Sequence, residues 1–393
     1  MQIYLDYGAT TPTRPEVIAT MQQVLTSGWG NPASLHEWGQ RSATILETAR
    51  MQVAGLIHAL DPETIVFTAG GTEADNLAIF GVANSYRQPQ HLIISSVEHP
   101  GVSQPARWLE ERGWQVTRLP VDHQGRVDPK DFQAAIRPNT VLASVIYGQS
   151  EVGTLQPITE LGKIAREQGV LFHTDAVQAV GRLPIDVSRL PVDLLSLSSH
   201  KLYGPQGAGA LYIRAGVTLT PLLQGGGQER QLRSGTPAVA NIAGFGVAAE
   251  LAAAEVWTET LRLQGLRDRL FELLADLPIL LPTGDRQHRL PQHVSFTLHT
   301  DNPDFTGKTL VRQLNLAGIG ISSGSACSSG KVTPSQTLLA MGYPEQQAKG
   351  AIRLTLGKPT TPADVDWTAG VIRQILARTN LINNSLTPSL PRP

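Results

Sequence analysis

Only one cysteine, Cys327, stands among the 393 residues of this chain. One thiol excludes an intrachain disulfide and a multi-cysteine metal centre, so no metal site is expected. Aromatics make up 5% of the sequence, and neither sign of charge prevails: 32 Lys and Arg against 33 Asp and Glu leave a formal charge of −1. That balance gives no electrostatic basis for binding nucleic acid or a membrane surface. No apolar run reads as long enough to span a membrane. The start, MQIYLDYGATTP, lacks the charged and apolar regions of a secretory signal. What is present is an ordinary globular composition, 41% apolar and 17% charged. The chain is long enough for about two domains and a large core, and a cytoplasmic location is expected.

Short apolar runs at 3–5, 65–67, 91–97, 115–119, 141–147, 170–175, 193–197 and 210–214 read as strands. Helical spacing separates them, at 15–25, 39–60, 72–82 and 160–168, and a long Ala-rich helix is expected over 238–277. Strands alternating with helices predict an α/β domain with a mainly parallel central sheet, whose ligand crevice lies at the carboxyl ends of the strands. Gly71, His99, Ser150, Asp175 and Lys201 all fall just past expected strand ends and could share that crevice. After Pro282 the texture changes. Segments 293–298 and 351–356 alternate like half-exposed strands, which predicts a smaller α+β domain with an antiparallel sheet. The division expected is a large domain over 16–256, a small one from 1–15 with 257–380, and a Pro- and Ser-rich tail over 381–393 that is too polar to pack.

The stretch LLSLSSHKLYGPQGAGALYI places Lys201 where an apolar strand gives out, beside Ser198, Ser199 and His200. Away from water a lysine amine loses its proton and becomes a nucleophile; a surface lysine at a strand–turn junction fits the same letters. In TAGGTEADN, Gly70 and Gly71 allow close approach of a ligand, and Thr72 with Asp75 resembles a capping box. Such a helix start suits a phosphate, although an ordinary capped helix would read the same way. Asp175 ends the run VLFHTD. An acid there is costly unless it faces a cation such as a protonated pyridine nitrogen, or is satisfied within a turn. His99 could lie over such a ring or serve the fold. Taken together, a phosphate-suited helix start, an acid, an imidazole and a pocket lysine describe a pyridoxal phosphate site.

At this point the chain resembles the cysteine desulfurases of the NifS/IscS-like class, within the fold type I pyridoxal phosphate enzymes. The motifs run from YLDYGATTP through GNPASLH, TAGGTEADN, EHPGV, HTDAVQAVG, SSHKLYGPQGAGALY, GGGQERQLRSGT and SSGSACSS to IRLTLGK, across residues 3–358. The resemblance implies a pyridoxal 5'-phosphate enzyme that removes sulfur from L-cysteine, releases alanine and leaves a persulfide for an iron–sulfur scaffold or another acceptor protein. It assigns Lys201 as Schiff-base lysine and proton shuttle, Asp175 to the ring nitrogen, Gln178 to the phenolic oxygen and His99 to the ring face. Gly71, Thr72, Ser198 and His200 match the phosphate cradle. Thr236 matches a phosphate contact that crosses from a second subunit, which implies a homodimer. Asn31 and Arg353 match the groups that hold the substrate carboxylate.

Arg353 also alternates with Ile352, Leu354 and Leu356, so it shares a strand face with Thr355, where a guanidinium could clasp a carboxylate or a neighbouring side chain. Cys327 lies in SSGSACSSGKVTPS, which has almost nothing apolar to bury a thiol. A thiol of pKa ~8.5 is only a few per cent thiolate at neutral pH, but that form is strongly nucleophilic. The chain departs from the resemblance at Gln149-Ser150-Glu151, where the family reads Asn-Asn-Glu, and at Gly8. Ser150 has shorter reach and fewer bonding groups than Asn. A selenocysteine lyase or a C–S lyase, either of which could dispense with Cys327, and a docking platform without catalysis are the rival readings.

Overall fold

The computed structural model describes residues 2–300, 302–324 and 333–379; Cys327 and the tail 381–393 lie outside the described residues. The first half comprises β1 (Ile3–Tyr4), α1 (Pro15–Ser27), α2 (Glu37–Leu56), β2 (Ile65–Thr68), α3 (Gly71–Ala83), β3 (His91–Ser95), α4 (Pro100–Glu110), β4 (Gln115–Leu119), α5 (Pro129–Ala135) and β5 (Thr140–Ser144). Then come α6 (Ile158–Glu167), β6 (Leu171–Asp175), β7 (Leu194–Ser198), β8 (Gly209–Ile213) and α7 (Val239–Leu273). The remainder is β9 (Leu280–Pro282), β10 (His293–Leu298), α8 (Gly307–Leu316), β11 (Ile319–Gly320), β12 (Ser322–Ser323), α9 (Gln336–Ala340), α10 (Glu345–Lys349), β13 (Ile352–Thr355) and α11 (Pro362–Arg378).

Seven strands form the large sheet, in the order β2-β8-β7-β6-β5-β3-β4. All neighbours are parallel except β8, which runs antiparallel to both β7 and β2. One face packs on a core that includes Phe67, Phe172, Phe245 and residues of α2, and the other on Leu77, Ile79 and Val82 of α3 with Val102 of α4. Burial on both faces is why β3 and β7 read as unbroken runs rather than alternating ones. The small sheet, β12-β13-β10-β9, is antiparallel throughout and has its own core. The helix α7 serves both: Ile242, Phe245 and Ala248 sit in the large core, and Leu263, Leu266 and Phe271 in the small one. Contrary to the sequence reading, α7 is long and apolar enough to cross a membrane by length and composition, but half of that window is buried within the protein. Its apolarity comes from passing through two cores.

β10 is not half-exposed as its alternation predicts. All six of its residues are buried. His293, Ser295 and Thr297 form the polar face, and the 150–152 turn closes over part of it: Ser295 Oγ bonds the Val152 carbonyl, and His293 Nε2 bonds the Ser150 carbonyl. The polar face marks a seam between the small sheet and the loops of the large one, where polar groups are mostly hydrogen-bonded because water is excluded.

The outer edge of the large sheet is closed by charge. β2 lies at the end of the strand order, and Arg50 and Glu229 cover its free groups. Arg50 Nη1 donates to the Ile65 carbonyl and to Glu229, while Glu229 Oε2 accepts from the Phe67 N–H. An edge satisfied in this way cannot recruit another strand. The pair also holds Glu229, Arg230 and Gln231 in the left-handed region (φ 46, 54 and 66°), an arrangement that costs about 1–3 kcal/mol per residue. Glu229→Ala leaves the buried Arg50 guanidinium with only the half-exposed Glu47 and the Ile65 carbonyl, and is expected to lower the unfolding free energy by about 3 kcal/mol, the low end for breaking a buried pair, read by denaturant titration. A loss below about 1 kcal/mol, the value of an exposed pair, would show that the pair does not hold this edge.

Candidate active site

The carboxyl ends of β6 and β7, the turn after β3 and the start of α3 converge on a cavity of about 260 Å³. It brings together Gly71, Thr72, His99, Ser150, Asp175, Gln178, Ser198, His200 and Lys201, with Asp75, Ile146 and Val177 completing the wall. Lys201 follows β7 in a single tight turn, and its Nζ donates to the Gly8 and Ala9 carbonyls at 2.7 and 2.8 Å. Burial and the nearby Arg353 cation lower its pKa to about 8, against the pull of Asp175 and Asp6. Gln178 donates its amide to the same Gly8 carbonyl.

Asp175 ends β6 with one hydrogen bond, from the Val177 N–H to Oδ1. Burial raises its pKa, and the charges of His99 and Lys201 oppose that rise. A carboxylate so placed gains most from a cationic partner. Asp75, which the capping-box reading had turned toward the helix start, faces inward instead. The helix is capped two residues earlier, at Gly70, with no side-chain bond, so Thr72 lies in its first turn on the cavity wall. The ligand atoms of Asp75, His99 and Asp175 lie within 4.8 Å of one another, a spacing suited to a cation. Burial, then Asp175, raise Asp75 well above its usual range.

His99 caps α4: its Nδ1 accepts from the Gly101 N–H, so the neutral ring carries its proton on Nε2. Burial lowers its pKa, partly offset by Asp175. His200 is pushed down to about 4 by burial and by Lys201, and is therefore neutral. At Gly71 a β-carbon would stand 2.7 Å from Val177, so the helix start can approach the cavity only without a side chain.

These features fit pyridoxal phosphate. Free N–H groups at the start of a 13-residue helix, two hydroxyls and a neutral imidazole suit a phosphate, and an under-bonded buried acid suits a protonated ring nitrogen.

Other expected residues lie elsewhere. Arg353 does not line the cavity; its Nη2 pairs with Asp6 at 2.8 Å, its Nη1 donates to the Ser150 carbonyl at 3.1 Å, and its Nε has no partner among the described residues. Asn31 is exposed and closes a local turn by accepting from the Ala33 N–H, and Thr236 is exposed. Within one chain neither reaches the cavity.

Sequence reading passed over Asp75 as a functional residue, and Glu98 altogether. Asp75 could have been found as an acid on the same face as Ile79 and Val82 of an apolar helix. Glu98 precedes His99 and is half-buried; its Oε1 accepts from Ser95 and the Ile146 N–H, and its buried Oε2 has no partner among the described residues. Burial pushes its pKa from 4.5 up to about 8. Between those values the folded chain holds a proton that the unfolded chain has lost, so stability declines as pH rises through that window. Glu98→Gln cannot ionise, and its Tm profile is expected to be flatter than the wild type over the same range. Parallel profiles would show that Glu98 does not titrate there.

Comparison with known proteins agrees with this geometry. The profile of the aminotransferase class-V family matches residues 3–367. The chain is 44% identical over 384 residues to a cysteine desulfurase IscS of Dictyoglomus turgidum, covering 97% of this chain and 96% of that one. Among solved structures, a NifS-like protein superposes with a TM-score of 0.89 at 34% identity, covering 96% of this chain and all of that one (100%). SspA in complex with cysteine superposes with a TM-score of 0.78 at 36% identity, covering 91% and 99%.

Proposed function

Because the chain belongs to the aminotransferase class-V family, we propose that it is a pyridoxal phosphate-dependent cysteine desulfurase that converts L-cysteine to L-alanine and carries the sulfur away as a persulfide on Cys327. The observation that carries this reading is Lys201, an amine lowered to about pKa 8 in a buried cavity that also holds Asp175 and the start of α3. Pyridoxal phosphate, when bound, supplies the electron sink that makes the substrate Cα proton acidic and the Cβ–S bond breakable.

The chain's own groups do the rest. Gly71, Thr72, Ser198 and His200 would hold the phosphate, Asp175 the ring nitrogen and Gln178 the phenolic oxygen, and His99 would serve the ring face. Lys201 takes the proton from the substrate Cα and returns a proton to the substrate. Arg353 holds the substrate carboxylate, which must compete with Asp6 for Nη2 or use the unpartnered Nε. Asn31 assists it. In a homodimer, the exposed Thr236 of a second copy completes the phosphate cradle.

Sulfur removal balances without an outside oxidant. A bond forms between Cys327 Sγ and the substrate sulfur as the substrate Cβ–S bond breaks; two thiol sulfurs become a persulfide, and the carbon is reduced to the methyl of alanine. An iron–sulfur scaffold or another sulfur acceptor in the cytoplasm takes the persulfide. Incubation with L-cysteine, following alanine and protein-bound persulfide together, should yield one of each per site in the first turnover. Pyruvate and ammonia in place of alanine would move the chain to the C–S lyases, the outcome that Ser150 in place of an asparagine keeps in view.

A further inference from the structure

Asp75 has no part in proton transfer or sulfur removal, yet it lines the cavity at 1% exposure. Its place follows from the helix that carries it. Gly71, Thr72 and Asp75 all line the cavity, and Asp75 stands one turn past Gly71 on the same side of α3. Further along that side, Ile79 and Val82 enter the apolar core between α3 and the sheet, so an apolar residue would suit position 75. An acid there needs compensation, because a buried charge without a partner is costly.

The groups that face Asp75 supply none. Its Oδ1 has no hydrogen-bond partner among the described residues. His173 Nε2, on β6, stands 3.8 Å from that oxygen, too far for a hydrogen bond. Both nitrogens of the His173 ring are used elsewhere, Nδ1 with Ser144 Oγ at 2.8 Å and Nε2 with Ser196 Oγ at 2.9 Å. Burial pushes the His173 pKa down to about 3 and lowers His99 as well, so near neutral pH neither imidazole offers a charge. The other titratable neighbours are acids. Asp175 lies within 4.8 Å, and Glu98, in the turn after β3, does not line the cavity. Lys201 acts on Asp175, but its Nζ is held by the Gly8 and Ala9 carbonyls. One feature of the backbone does favour a charge on Asp75. A β-carbon at Gly101 would lie 2.5 Å from Asp75 Oδ2, so the first turn of α4 packs on the carboxyl, where a helix start attracts an anion.

The geometry points to Asp75 as a positioning residue for the cofactor: with Asp175 it forms a two-carboxyl seat that keeps the ring nitrogen protonated. This inference rests on the cofactor seat proposed above. Two carboxylates this close, away from water, cannot both stay charged unless a cation stands with them, so by themselves they retain a proton. A ring nitrogen held at Asp175 can accept that proton. The O–H bond of one carboxyl breaks, an N–H bond forms, and two carboxylates then face one pyridinium, with no other reactant consumed. Asp75 so ionised adds its attraction to that of Asp175, at a separation where an opposite charge moves a pKa by about 1–3 units. The electron sink depends on that proton, since the carboxylate partner works by keeping the ring cationic.

The test uses holoenzyme loaded with pyridoxal phosphate isotopically labelled at its ring nitrogen, whose NMR signal reports whether that atom carries a proton. Asp75→Asn keeps the shape of the side chain and removes the charge. As pH rises, its ring nitrogen should lose the proton about 1–3 pH units below the wild type. Asp75→Leu, which removes charge and polarity without opening a cavity, should give the same shift, and it serves if the asparagine variant does not fold. Asp175→Asn loses the direct partner and should shift the titration further. A purely structural role for Asp75 would lower stability and leave the titration in place; wild-type titration in both Asp75 variants would therefore overturn this inference alone. A wild-type chain that takes up no cofactor, or an Asp175→Asn variant that titrates as the wild type, would overturn the cofactor seat and this inference with it.

Discussion

Lys201→Ala is expected to lower alanine formation from L-cysteine by about 10²–10⁴-fold, the usual worth of a positioned acid–base group, while the cofactor still binds. The size of the loss follows from the lack of a substitute among the cavity's described residues. His200 lies at about pKa 4 but spends Nδ1 on Thr10. His99 has its Nδ1 lone pair occupied by the Gly101 N–H, and the proton on Nε2 leaves no basic site. Asp75 is buried against Asp175, and Asp175 is the partner of the ring nitrogen. Lys201 alone offers an amine near neutrality. Cofactor retention rests on other groups, the start of α3 and Asp175, so absorbance after dialysis should persist. Lys201→Arg separates charge from basicity, since a guanidinium stays protonated, and it should be as inactive as the alanine variant. Turnover within about tenfold of wild type in either variant would remove Lys201 from proton transfer.

Much of this site could be read from the sequence because of where α/β folds put chemistry. His99, Ser150, Asp175 and Lys201 each follow an apolar run, and a parallel sheet gathers the carboxyl ends of such runs into one crevice. The rest depended on tertiary facts that no local pattern carries. The alternation of β10 implied a solvated face, but His293 and Ser295 instead bond across to the Ser150–Val152 turn. Thr72 and Asp75 had the spacing of a capping box, but with Gly70 as cap the helix starts two residues sooner and turns Asp75 toward Asp175. Asn31 and Thr236 were placed by resemblance alone, and within one chain both lie on the surface. Arg353 was read correctly as a polar position on an apolar strand. Its ion pair with Asp6, 347 positions away, could be seen only after the N-terminal segment had folded against β13.

Cys327→Ser should abolish protein-bound persulfide outright, because the chain has no second cysteine to carry the sulfur. Serine keeps the size and polarity of the side chain but does not ionise near neutral pH, so the change removes the nucleophile and little else. Binding of cofactor and L-cysteine should survive, since Lys201, Asp175 and the start of α3 are untouched, and the absorbance change on adding cysteine reports it. Alanine should then stop accumulating even with an acceptor thiol in excess. The rival chemistry gives the opposite result: a C–S lyase expels the substrate sulfur by elimination, needs no protein thiol, and would keep producing pyruvate and ammonia in the serine variant.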